Sequence, residues 1–164
     1  MEYIVDWVGF KQSGNEYILK EIAIMPLSDS TDPLVRLFKN PFPWQKLTDT
    51  LQKENVLLEQ NDHGIPWKTD GLDYCEIGSL LRDVLGDACR VYVMDESKKK
   101  WLQRFRFPVY DISNYGYSSK QSIKCVTVCL NHNAKYKTNC ALHNVKRIKM
   151  YLTSINDKIK NLKI

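Results

Sequence analysis

Hydrophobic positions along the chain switch between two periods. From Tyr3 to Phe10 the residues are aromatic and β-branched, which predicts a strand. Gln12-Ser13-Gly14-Asn15 predicts a turn, and 16–25, apolar at Tyr17, Leu19, Ile22 and Ile24, predicts the returning strand of a hairpin. A breaker-rich loop from Asp29 to Pro33 precedes a third strand over 34–38. Pro41 and Pro43 then punctuate the chain, and a helix is expected from about Trp44 to Asn55. A loop over 61–71 carries His63-Gly64-Ile65-Pro66-Trp67. Ile77, Leu80, Leu81 and Val84 mark one face of a helix over 73–85. A short buried strand over 90–94, a helix over 98–105, a strand over 109–112 and a tyrosine-bearing loop over 113–122 follow. Leu142, Val145, Ile148, Leu152, Ile155, Ile159 and Leu162 step by three and four, which predicts a long closing helix over 139–162. This order predicts one α/β domain over 1–164, a mixed sheet flanked by helices, with no repeat or linker.

Composition narrows the setting. A chain of 164 residues supports one real core, so neither disulfide nor metal is required for folding. No apolar run approaches the roughly 20 residues that cross a bilayer. Glu2 and Asp6 stand where a signal peptide would be basic and then apolar, so an intracellular setting, cytoplasmic or nuclear, is expected. The net charge of +5 is compatible with nucleic acid without requiring it.

Candidate chemistry gathers near the C-terminal end. Cys129-Leu130-Asn131-His132 and Cys140-Ala141-Leu142-His143 are two Cys-x2-His units, and Cys125 lies just upstream. Thiolate and imidazole are the borderline-soft donors that Zn²⁺ takes in a tetrahedron. Cys140, at a helix start, is expected to have a lowered thiol pKa and to share a face with His143. The alternative reading is that Cys140 is simply core. For the fourth ligand His143 is the local choice and Cys125 the other. Two basic clusters are candidates for single-stranded RNA. Lys98, Lys99, Lys100, Arg104 and Arg106 interleave with Trp101 and Phe105, and Lys135, Lys137, Lys146, Arg147 and Lys149 flank the Cys-His units. Trp101 and Phe105, four apart, read equally well as the buried stripe of a short helix. Phe42, Trp44 and Trp67 are the candidates for a protein-docking patch, though core suits them better. A Cys-His hydrolase built on Cys140 with His143 or His63 lacks its third member, and no Gly-rich phosphate loop is present.

Several stretches resemble the DEDDh exonucleases of the RNase H-like lineage. These are Tyr17 to Ile24 with its Glu-Ile-Ala step, His63-Gly64-Ile65, Val91 to Leu102, Val109-Tyr110-Asp111-Ile112, and Cys140 to Val145. More specifically, Cys129-x2-His132-x7-Cys140-Ala141-Leu142 resembles the end of the maelstrom domain, a branch that holds zinc through a Glu-Cys-His-Cys quartet. The resemblance implies an RNase H-like fold and the ligand set Glu21, Cys129, His132 and Cys140, with His143 outside it. It implies a stand-alone, divergent relative tied to piRNA-type small-RNA pathways, transposon silencing and silencing-pathway proteins. It also implies single-stranded RNA binding, or RNA cleavage at a site other than the ancestral carboxylates. Those carboxylates are largely gone. Asp6 matches the first, but Val8, Lys98, Asn139 and Asn144 stand where the others and the histidine belong. No Asp or Glu occurs from Gln121 to Leu152, whatever the register. Two-metal chemistry needs that charge, so no catalytic residue is expected and Asp6 is vestigial.

Overall fold

The computed structural model describes residues 1–28, 31–118, 129–131 and 139–161. Strands β1 (Glu2–Lys11), β2 (Tyr17–Pro26), β3 (Leu34–Leu37), β4 (Arg90–Val93) and β5 (Val109–Asp111) form one mixed sheet in the order β3-β2-β1-β4-β5. β1 runs antiparallel to β2, and β2 to β3. β4 is parallel to β1, and β5 to β4. The first three strands need only tight connections. The parallel pairs need crossovers, which helices supply.

Those helices cover both faces. Beyond β3 come α1 (Asp49–Leu58), α2 (Ile77–Leu85), α3 (Glu96–Gln103) and α4 (Ala141–Asn161). On one face Val5, Trp7, Ile22, Ile24, Val91 and Val93 pack with Leu81 and Leu85 of α2 and with Trp101 and Leu102 of α3. On the other, Ile4, Ala23 and Met25 pack beneath Ala141, Val145 and Ile148 of α4. β1 is therefore buried on both sides, and that places Asp6 inside the molecule. A smaller cluster of Phe10, Ile18, Leu47 and Trp67 closes the turn end of the hairpin. Among the described residues no helix is long and apolar enough to cross a membrane.

One irregularity in the hairpin decides where side chains point. Val8 pairs with Glu21 while Gly9 pairs with Leu19, so Lys20 is the extra residue of a β-bulge. The bulge puts Leu19 and Ile22 on the α2–α3 face although they are three apart. Glu21 is left on the α4 face. Gly9 makes the close approach possible, because a Cβ there would lie 2.0 Å from the Ile18 carbonyl oxygen. Lys20 is fully buried and donates to the Trp67 carbonyl at 2.8 Å.

Three helix starts depart from the sequence reading. The expected helix over 44–55 is a single tight turn at Trp44–Lys46, and α1 begins only at Asp49. Thr48 is extended, and its Oγ1 accepts from the Leu51 N–H at 3.3 Å, so capping chemistry overrides the start signal of Pro43. α2 likewise begins later, after a turn at Tyr74–Glu76 closed by the Asp73–Glu76 capping box. α3 begins earlier than expected, at Glu96, because Asp95 caps it through the Lys98 N–H at 2.9 Å. The loop assigned to 61–71 begins as a continuation of α1, one wide turn at Glu59–His63 ended by left-handed Gly64.

Burial lowers the Lys20 ammonium pKa from 10.5 to about 8. Between those values the unfolded chain still binds the proton that the folded chain has released. Stability should therefore rise as pH climbs from about 8 to 10.5. Lys20→Met should flatten that rise in urea midpoints measured across the window. An equal rise in the variant would assign the effect elsewhere.

Candidate metal centre

Glu21 is the hub. It is fully buried in β2, and the bulge aims it at the N-terminus of α4. Its Oε1 accepts the Ala141 N–H at 3.2 Å, one of the four helix-start donors that lack an intrahelical partner. Its Oε2 accepts from Asn131 Nδ2 at 2.8 Å. The Cys129 and Cys140 sulfurs each lie 3.9 Å from a Glu21 oxygen, and one ligand atom from each of the three residues falls within 4.8 Å of the others. Among the described residues this is the group with metal-holding geometry.

The donor set fits a metal ion. Glu21 and Cys140 are buried and Cys129 half-buried. Three acids in one apolar pocket cannot all ionise without a cation to share. The Cys140 thiol is pushed up by its hydrogen bond with Cys129, then by burial and by the Glu21 charge. That reverses the lowering expected for a Cys at a helix start. A divalent ion would remove the conflict, since a coordinating thiol loses its proton outright.

Of the other sequence-nominated ligands, His132 and Cys125 lie outside the described residues. His143 is buried in α4 but is not in the group. Cys140 precedes the first helical residue, so the helical spacing that would place both on one face does not apply. His63 is fully buried, and its Nδ1 accepts the Ile65 N–H at 3.0 Å, a structural role.

A second polar cluster lies on the same face around Asp6. Lys98 forms an ion pair with the fully buried Asp6 carboxylate, donates to the Trp7 carbonyl at 3.0 Å, and sits 5.5 Å from the Trp7 ring centre. Asn144 Nδ2 donates to the other Asp6 oxygen at 2.7 Å. Arg147 in turn donates to Asn144 Oδ1 at 2.7 Å. Burial pushes the Asp6 carboxyl up, while Lys98 and Asn144 pull it down. Asn139 hydrogen-bonds Asp62 at the same mouth. Val8, Lys98, Asn139 and Asn144, the positions read as lost nuclease groups, line one cleft of about 240 Å³. Asp62 and Asn131 were not legible as site residues. Asn131, between Cys129 and His132, carried a signal only as a turn residue.

The first basic cluster does not stand free as a phosphate platform. Lys98 is turned inward onto Asp6 with its side chain only 16% exposed, and Arg104 makes a two-pronged pair with Glu16 at 2.6 and 2.7 Å. Lys99 pairs with Glu96 at 3.4 Å, and Lys100 is exposed. Trp101 packs on Trp7 with ring centres 4.8 Å apart, and Phe105 packs on Trp101, so the interleaved aromatics belong to the core. In the second cluster, Lys146, Arg147 and Lys149 are half-buried on α4, Lys149 donating to the Pro26 carbonyl at 3.1 Å. Lys135 and Lys137 lie outside the described residues. Trp67 is buried with Phe42 and Trp44 packed against it.

Comparison with protein-family models, with curated proteins and with solved structures finds no match for the chain.

Removing one partner of a buried ion pair typically costs about 3–5 kcal/mol. Lys98→Met should therefore destabilise by that order in urea unfolding, and adding Asp6→Asn should recover most of the loss. Simple additivity of the two losses would show that the pair is not coupled.

Proposed function

We propose that this chain is a catalytically silent, RNase H-like domain of maelstrom type, built around zinc, that binds single-stranded RNA in a small-RNA or transposon-silencing pathway. The mixed sheet, with a three-stranded antiparallel opening and two parallel additions, supports this reading. The observation that carries the reading is the ion pair at Asp6. A carboxylate that would have held a catalytic divalent ion is neutralised by the Lys98 ammonium and held by Asn144. A lysine there repels Mg²⁺, and two-metal chemistry has nothing to replace it.

Zinc is the ion that two sulfurs, one carboxylate and an imidazole suit best. Glu21, Cys129 and Cys140 would supply three donors, and His132 is the reading's fourth. In this role the ion ties the 129–131 segment and the start of α4 to β2, closing the molecule without doing chemistry. RNA would then be met by the cations of α4. Lys146 and Lys149 lie along the helix whose N-terminus the metal anchors, and the net charge of +5 favours a polyanion.

Purified protein should carry about one zinc per chain, and chelation should lower Tm by roughly 10 °C. Cys129→Ser and Glu21→Gln should each cost most of that zinc in elemental analysis. Full zinc occupancy in both variants, or none in the parent protein, would sink the metal assignment.

Single-stranded RNA should bind with strong salt dependence, and Lys146→Glu with Lys149→Glu should flatten the log–log salt slope by about 0.7 per lost phosphate contact. No cleavage should occur with Mg²⁺. An unchanged affinity and slope would refute RNA binding by α4. Cleavage surviving EDTA would instead identify a ribonuclease with an unorthodox site.

A further inference from the structure

The tyrosine-bearing stretch after β5 is the feature that the metal centre and the Asp6 cluster leave unused. Tyr110 is 38% exposed and Tyr115 55% exposed, among the largest open aromatic surfaces of the described residues. Both rings line two neighbouring clefts. One, of about 320 Å³, lies between the sheet and α4 and is completed by Arg90, Tyr92, Leu152 and Ile155. The other, of about 400 Å³, lies on the α3 side and includes Lys99 and Asn114. The tyrosines thus form a ridge with a concavity on each side.

The ridge is held in place. Tyr92 packs beside Tyr110 with ring centres 6.1 Å apart, and its hydroxyl donates to Glu2 at 3.2 Å. Tyr115 lies in a tight turn, Ile112–Tyr115, that starts at the Asp111 cap and ends at left-handed Gly116. Its carbonyl accepts from the Tyr151 hydroxyl of α4 at 2.7 Å. Cations and carboxylates both stand at the ridge. The two linings hold the cations Arg90 and Lys99, and the one carboxylate in them, Asp111, is 4% exposed and turned onto the Ser113 N–H. Arg90 pairs with half-buried Glu2 and Lys99 with exposed Glu96, and an ion pair open to water on at least one side is weak enough to exchange for phosphate.

We propose that Tyr110 and Tyr115 form a base-stacking platform for single-stranded nucleic acid, with Arg90 and Lys99 meeting the phosphates on either side. Exposed rings suit unpaired bases because every base presents a π-face, and flanking cations track the backbone. This deepens the RNA-binding reading and rests on it. It places the bases at the β5 edge rather than at the Trp101–Phe105 pair, of which Trp101 is buried and Phe105 half-buried against it.

The test uses the full chain with a labelled oligouridylate of about twelve nucleotides and an abasic strand of the same length and charge. The parent protein should bind the abasic strand about tenfold more weakly. Tyr110→Ala and Tyr115→Ala should each weaken oligouridylate binding about tenfold while leaving the salt slope unchanged. Tyr110→Phe and Tyr115→Phe should bind like the parent. Both rings are exposed, so the variants should keep the parent's circular dichroism. If oligouridylate binds but the alanine variants and the abasic strand match the parent, the platform is refuted and α4 binding stands; the ridge then faces a protein partner. If the parent binds no RNA, the proposed function itself fails and this inference goes with it.

Discussion

Two carboxylates buried beneath the N-terminal turns of one helix constrain everything else in this molecule. Asp6 and Glu21 sit on neighbouring strands on the α4 face, both with no exposed surface. An ionised carboxylate in that position costs several kcal/mol unless its charge and lone pairs are met. α4 meets part of the demand by donation, Ala141 to Glu21 and Asn144 to Asp6. The helix dipole adds favourable potential at that end. Helix donors alone do not neutralise two charges, and the protein treats the two sites differently.

At Asp6 the cation is covalent. Lys98 reaches Asp6 of β1 from the first turns of α3, the helix that follows β4, the strand parallel to β1. An ammonium on a flexible stem demands no fixed coordination number, so the pocket needs only one carboxylate, the Asn144 amide and the Trp7 carbonyl around it. At Glu21 the neighbours include two sulfurs, those of Cys129 and Cys140. Soft donors beside a carboxylate suit a divalent metal ion better than an ammonium. Exposed pairs such as Lys39–Asp73 contribute at most about 1 kcal/mol. The two buried centres therefore dominate the electrostatics of the fold.

The bulge at Lys20 connects this chemistry to the hairpin. Without an extra residue opposite Val8 and Gly9, strict alternation would put Leu19 and Glu21 on the same face, so Leu19 could not join Ile22 in the α2–α3 core while Glu21 faces α4. The bulge requires Gly9 on the facing strand and leaves a lysine stem inside the core. Burial of that ammonium is a cost carried at neutral pH, offset by its bond to the Trp67 carbonyl.

Much of this was legible in the chain itself. Period-two and period-three-to-four patterns located each strand of the described residues and the stripe of α4, because those patterns follow directly from which face is buried. Helix starts were less legible, because Thr48, Asp73 and Asp95 set them by single hydrogen bonds that compete with the hydrophobic period. Cys-x2-His spacing marked Cys129 and Cys140 as candidate ligands, and the structure brings both to Glu21. Glu21 could be nominated only by resemblance, for it lies 108 residues from Cys129 and no local pattern spans such a distance. Lys98 read as one cation of a basic run and, by resemblance, as the replacement of a lost carboxylate, but its pairing with Asp6 appears only in the folded chain. Composition and periodicity determine which residues must be inside. Which charges meet there depends on the crossover that brings distant strands and helices together.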